Sequence, residues 1–168
     1  GYVFAVDAGY NLVAMVPGLW NRMEICNLGI SVADMTFDAT TNTMYMVGEV
    51  DEESQLLKLD LITGEWEIVC PLGGGTVYSI EYTDQGELYA IMGGSAQLWK
   101  MNFETMELEA VMDFETDEYP YYSQSMTYSS ADDVIYWAFF TYTDNAELFA
   151  IDVSGTHPTY TSVKFPVN

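Results

Sequence analysis

Four acids and three tyrosines crowd into ten residues at Asp113-Phe114-Glu115-Thr116-Asp117-Glu118-Tyr119-Pro120-Tyr121-Tyr122. A segment this long exceeds what a turn needs, and such loops are where binding groups collect. Tyrosine rings stack on sugar rings or anchor a protein partner, and adjacent carboxylates accept the partner's hydroxyl or N–H groups. The candidate ligand residues here are Asp117, Tyr119, Tyr121 and Tyr122, with Tyr142 in the polar stretch Thr141 to Asn145. The bland alternative is that the tyrosines pack on the rim of the fold and the acids form a solvated edge.

A second candidate is Leu19-Trp20-Asn21-Arg22-Met23-Glu24. Trp20 offers a stacking surface, and Arg22 is a rare cation that would hold a carboxylate by a bidentate pair or neutralise a neighbouring loop. Hard cations such as calcium want several carboxylate oxygens. Asp51-Glu52-Glu53 and the set Asp113, Glu115 and Asp117 offer them, but neither has the loop spacing with a central glycine that a dedicated calcium site shows. No metal or other cofactor is therefore expected. His157, the sole histidine, sits in the turn Ser154-Gly155-Thr156-His157-Pro158, so a nucleophile system that depends on an imidazole has little to work with. Cys26 and Cys70 lack zinc-type spacing and read as two separate half-buried thiols rather than a disulfide.

The elements that position these residues follow from a repeat. Ala33-Asp34-Met35-Thr36-Phe37 returns as Tyr78-Ser79-Ile80-Glu81-Tyr82 and as Gln124-Ser125-Met126-Thr127-Tyr128, in steps of 45 and 46 residues. Each is a short alternating strand. A second strand carries a tyrosine at one point each time: Met44-Tyr45-Met46-Val47, Leu88-Tyr89-Ala90-Ile91 and Ile135-Tyr136-Trp137-Ala138. A third closes on a turn-forming acceptor, in Leu57-Lys58-Leu59-Asp60, Trp99-Lys100-Met101-Asn102 and Phe149-Ala150-Ile151-Asp152. The fourth spans 65–69, 107–111 and 159–163, with the alternation of an outer strand.

Four strands every 45 or so residues make one blade of a β-propeller. Phe4-Ala5-Val6-Asp7 matches the third strand of this unit and Leu12 to Val16 the fourth, so the sequence predicts 14 strands. The expected class is all-β: a propeller segment spanning 1–168, with about three and a half four-stranded antiparallel blades. They comprise a half blade at 1–29 and blades at 30–74, 75–120 and 121–168. A ring needs at least four blades, so this one is expected to be incomplete, either a fragment or a ring closed by self-association or by the remaining blades of a longer chain.

At Asp60-Leu61-Ile62-Thr63-Gly64-Glu65 and Val134-Ile135-Tyr136-Trp137-Ala138 the blades resemble propellers of secreted bacterial surface proteins. The second stretch is also similar to the Tyr-Trp-Thr-Asp repeats of lipoprotein-receptor propellers, although Ala138 and Phe139 stand where Thr and Asp would be. The resemblance implies the fold and an extracellular or cell-surface location, and carries over no functional residue.

Only 4 Lys and Arg face 26 Asp and Glu, a formal charge of −22. Such a surface repels polyphosphate backbones and anionic lipid. Nucleic acid is thereby disfavoured as a partner. No run of 18 apolar residues exists, so no membrane insertion is expected, and the chain shows no signal-peptide pattern at Gly1. These observations predict a non-catalytic module for glycan or protein recognition, or a scaffold. The alternative is a carbohydrate-active enzyme, a glycoside hydrolase or lyase using carboxylates on the loop face, for which no two carboxylates with distinct environments stand out.

Overall fold

The computed structural model describes residues 1–73, 75–116, 118–121, 124–141 and 146–165. Among them are fifteen strands in four antiparallel sheets, each sheet following chain order. The first holds β1 (Val3–Val6), β2 (Asn11–Met15) and β3 (Arg22–Asn27). The second holds β4 (Ser31–Asp38), β5 (Thr43–Val50), β6 (Glu53–Leu59) and β7 (Trp66–Pro71). The third holds β8 (Val77–Tyr82), β9 (Leu88–Met92), β10 (Gln97–Asn102) and β11 (Glu107–Asp113). The fourth holds β12 (Ser125–Ser129), β13 (Val134–Phe140), β14 (Ala146–Asp152) and β15 (Thr159–Phe165). The four sheets are arranged as propeller blades, as the repeat predicts.

The opening segment differs from its expected form: it holds three strands, β3 following the two read from the sequence at Phe4 to Asp7 and Leu12 to Val16. A bulge fixes the correspondence. It falls between Leu12 and Val13 where β2 pairs β3, between Leu56 and Leu57 where β6 pairs β7, and between Leu98 and Trp99 where β10 pairs β11. Thus β1, β2 and β3 are the second, third and fourth strands of a blade. The misplacement has a physical cause. Asp7 Oδ1 accepts the N–H groups of Gly9 and Asn11, the same turn chemistry by which Asp60 Oδ1 accepts those of Ile62 and Thr63. An Asx turn marks a corner without saying which corner. The register also places Phe4 in the column of Tyr45 and Tyr89.

The innermost strands β4, β8 and β12 lie side by side, and side chains join them where sheet hydrogen bonds cannot. Thr36 Oγ1 accepts the Tyr82 N–H at 2.8 Å and Asp34 Oδ2 accepts the Ile80 N–H at 3.0 Å. One blade on, Ser79 Oγ accepts the Met126 N–H at 3.0 Å and Glu81 Oε1 accepts the Tyr128 N–H at 2.9 Å. The Ser79 hydroxyl in turn donates to Asp34, and that of Thr36 to Glu81 Oε2. Glu81 therefore binds three blades with one carboxylate. Burial is the largest influence on it and pushes its pKa up to about 7, with the Asp34 charge adding to the shift. Burial also raises Asp34.

Between blades the core divides into three clusters. That between the third and fourth is aromatic: Trp137 stacks on Phe149 at 5.0 Å, and Phe114 meets Trp137 at 4.8 Å and Phe149 at 5.0 Å. Gly64 closes the first seam. Its φ of 74° suits glycine, and a Cβ there would stand 1.9 Å from Cys26 Sγ. Cys26 is half-buried and Cys70 buried, both as free thiols, and they occupy the same fourth-strand position in consecutive blades, opposite Leu12 and Leu56. Burial raises the Cys70 thiol pKa.

Two outcomes follow from this packing. Because the Glu81 pKa is raised on folding, its contribution to stability is fully present below its ordinary value of 4.5 and is lost as the pH rises through about 7. The unfolding free energy of the wild-type protein, from urea denaturation, should fall relative to that of Glu81→Gln across that window, by on the order of 2 kcal/mol. Parallel curves for the two proteins would show that Glu81 does not titrate there. Phe114→Ala, which empties the centre of the aromatic cluster, should cost about 3–5 kcal/mol in the same denaturation experiment.

Candidate functional site

The connection from β11 to β12 carries the acidic, tyrosine-rich stretch, and its two ends are tied down differently. At the near end Phe114 is the buried knob just described, and its N–H donates to Ala96 O at 2.9 Å. The same bond recurs from Leu28 to Tyr10 O and from Leu72 to Ser54 O, so every described connector leaves its fourth strand through one buried apolar residue held by the preceding corner. The next N–H, of Glu115, donates to the Tyr160 hydroxyl at 2.7 Å. That tyrosine sits where Trp66 sits two blades earlier, and Trp66 Nε1 donates to the first connector at Leu28 O, 3.1 Å away. An aromatic at the start of the fourth strand thus pins the preceding blade's connector.

At the far end Gln124 is buried and its amide is fully used. Its Nε2 donates to Tyr121 O and Phe140 O, while its Oε1 accepts from Trp137 Nε1 and the Phe140 N–H. Tyr121 N–H donates to Phe140 O, and Pro120 is buried. Between these anchors Tyr119 stands 62% exposed.

Beside Tyr119 lies a hollow of about 420 Å³, floored by the β9–β10 corner and the start of β10. Its polar wall is a fixed relay. Trp99 Nε1 donates to Ser95 Oγ at 3.3 Å, the Ser95 hydroxyl donates to Gln97 Oε1 at 3.0 Å, and Gln97 Nε2 donates to Asp113 Oδ1 at 2.8 Å. Among the described residues nothing donates to Asp113 Oδ2, and Asp113 is exposed. The hollow therefore joins two aromatic surfaces, Trp99 and Tyr119, to an oriented carboxylate acceptor. Such a set can stack on a ring and accept its hydroxyls. Thr116 lines this hollow and also a smaller one of about 160 Å³, on whose rim Lys164 Nζ lies 3.9 Å from Glu147 Oε2.

The residues singled out from sequence do not all meet here. Tyr119 and Tyr121 belong to the anchored loop, and Asp117, Tyr122 and Tyr142 lie outside the described residues. Trp20 and Arg22 sit elsewhere, at the corner joining β2 to β3. That corner corresponds to Asp60–Gly64 and lies at the opposite ends of the strands from the acidic loop. Trp20 is 63% exposed there, and Arg22 pairs with Asp7 and, at 3.4 Å, with Glu24. Sequence reasoning missed Ser95, Gln97, Trp99 and Thr116. Residue type alone does not single out Trp99, which shares its column with Leu57 and Phe149; the structure does, since those two are fully buried and Trp99 is only half-buried.

All four basic side chains are committed to carboxylates, since Lys58 reaches Glu67 and Lys100 pairs with Glu87. Among the described residues no group of three or more His, Cys, Asp or Glu side chains is placed to hold a metal, and no helix is long and apolar enough to cross a membrane.

No family model matches the chain, and no curated protein sequence matches it. Solved structures of propeller proteins do. An auxiliary nutrient binding protein from Bacteroides thetaiotaomicron superimposes with a TM-score of 0.69 at 12% identity, covering 95% of this chain and 38% of that one. A chain of a nidogen/laminin complex gives 0.68 at 12% identity, with 95% and 60% covered. A glycoside hydrolase of family GH43, engineered for endo-xylanase and exo-arabinofuranosidase activity, gives 0.65 at 8% identity, with 97% and 38% covered. The chain thus spans between about two fifths and three fifths of the structures it resembles, and what they share with it is the propeller fold.

Proposed function

We propose that this chain is a non-catalytic recognition module of a cell-surface or secreted protein, and that its loop face binds a neutral glycan between Tyr119 and Trp99. The observation that carries this reading is the hydrogen-bonded relay from Trp99 through Ser95 and Gln97 to Asp113, which fixes a carboxylate acceptor beside two aromatic faces. The charge supports a neutral ligand. A net −22, with each of the four cations lying within 4.0 Å of a carboxylate, disfavours a uronate or a phosphate. The nutrient-binding and glycoside-hydrolase neighbours are consistent with a carbohydrate ligand.

One observation favours catalysis instead. Glu81, whose pKa burial raises to about 7, and Asp34, whose pKa burial also raises, are two carboxylates on adjacent innermost strands. Their oxygens are taken up in joining the blades, and this gives them a structural role without chemistry.

Isothermal titration against a panel of neutral oligosaccharides should find a ligand whose affinity drops at least tenfold in Tyr119→Ala and in Asp113→Asn. Each loss would equal about 1.4 kcal/mol or more. Binding that survives both changes would remove the hollow from the account. Turnover of a polysaccharide abolished by Glu81→Gln would replace the recognition reading with the catalytic one.

A further inference from the structure

The loop face repeats one polar pair. Near the start of a third strand and the end of the fourth, two side chains stand opposite each other: Asn11 and Asn27, Gln97 and Asp113, Glu147 and Lys164. In the first blade Asn27 Nδ2 donates to Asn11 Oδ1 at 2.8 Å, and in the third Gln97 Nε2 donates to Asp113 Oδ1 at 2.8 Å. Pro71, opposite Gln55, breaks the row in the second blade. In the fourth blade the pair is ionic and open, with Lys164 Nζ 3.9 Å from Glu147 Oε2, too far for a hydrogen bond. The two hollows of the loop face stand on the last two pairs. Ala96, Gln97, Asp113 and Phe114 line the larger, and their equivalents one blade on, Ala146, Glu147, Lys164 and Phe165, line the smaller. They are the same place in consecutive blades, and the connector from β11 to β12 makes the ridge between them: Thr116 lines both, Tyr119 the larger and Glu118 the smaller. Phe149, in the column of Trp99, is fully buried, so the second hollow has no indole wall.

We propose that the two hollows are successive subsites, and that the ligand is a linear glycan chain running along the loop face from the third blade to the fourth. This rests on the reading of the face as a neutral-glycan site. The larger hollow, about 420 Å³, has the size of a ligand pocket, whereas the smaller, about 160 Å³, falls below the usual range and suits a sugar already tethered to its neighbour. The chemistry of the second subsite matches that of the first. Glu147 supplies the acceptor that Asp113 supplies one blade earlier, with its side chain only 10% exposed. Lys164 adds a donor: an ammonium group has three, so its charge stays balanced by Glu147 while it donates to a neutral hydroxyl. A hydroxyl lying beside the pair then accepts from Lys164 and donates to Glu147. Once one sugar is held between Tyr119 and Trp99, the next meets the second subsite at high effective concentration, so even a weak contact there adds to the affinity.

Isothermal titration of the intact chain with the di-, tetra- and hexasaccharides of the cellulose, xylan and amylose series tests the tandem arrangement. Within a series that binds, affinity should rise about tenfold or more from the disaccharide to the hexasaccharide. Lys164→Ala and Glu147→Gln should each remove most of that rise. The Lys164 side chain is 82% exposed, so its truncation leaves the fold intact. In the wild-type protein the hexasaccharide should slow amide exchange at Ala146 and Glu147 beyond what the disaccharide does, a readout that depends on neither variant. Equal affinity at every length, still weakened by Tyr119→Ala, would overturn the tandem subsites and leave the single hollow standing. No binding at any length would overturn the glycan reading itself, and the tandem subsites with it.

Discussion

Everything in this molecule depends on how neighbouring blades hold each other without sharing a sheet. Backbone hydrogen bonds are used up within each blade, so the innermost strands meet through side chains that accept the next strand's inward N–H groups. A buried N–H left without an acceptor costs about 1–3 kcal/mol, so each acceptor position calls for a side chain with an oxygen that reaches the next strand. The Ser79 hydroxyl accepts from Met126 on one side and donates to Asp34 on the other, and Glu81 accepts from Tyr128 and from Thr36, so the two residues join successive seams into one network. Glu81 pays for its place in that network by burial, visible in its raised pKa.

The candidate site inherits its rigidity from the same seams. Phe114 is first a core residue of the third and fourth blades and only second the base of a loop. Gln124 fills the corresponding role at the other end, with both amide atoms bonded. With Phe114 and Glu115 bonded on one side of Tyr119 and Tyr121 on the other, part of the cost of ordering an exposed aromatic for binding is met by the fold. The position of the hollow follows as well. Because the connector is bonded to Ala96, the corner bearing Ser95 and Gln97 is drawn under the acidic loop.

The blade repeat was legible because alternation and the recurring tyrosine of the second strand are local signals that every blade must obey. The opening segment was misread because Asp7 carries a turn signature shared by two corners, whereas the features that decide the matter are non-local. One is the bulge opposite Leu12, and another is the bond from Leu28 to Tyr10 O. The match of Val3-Phe4-Ala5-Val6 to Leu88-Tyr89-Ala90-Ile91 was available in the sequence and outweighs the turn. The acidic loop was found from composition, but its partners Ser95, Gln97 and Trp99 were not. A relay of three hydrogen bonds along one corner leaves no mark in residue types until the corner is folded.

Charge ties these levels together. Each of the four cations lies within 4.0 Å of a carboxylate, two of them directly across a strand pair, where Lys58 faces Glu67 and Lys164 faces Glu147. Exposed pairs of this kind add little stability, about 0–1 kcal/mol each. Their consequence lies in what they withhold: with the cations spent internally, the surface offers carboxylates, hydroxyls and aromatic faces to a ligand. For the glycan reading proposed at the Asp113 hollow, this favours ligands that donate hydrogen bonds and carry no negative charge, small or part of a polymer.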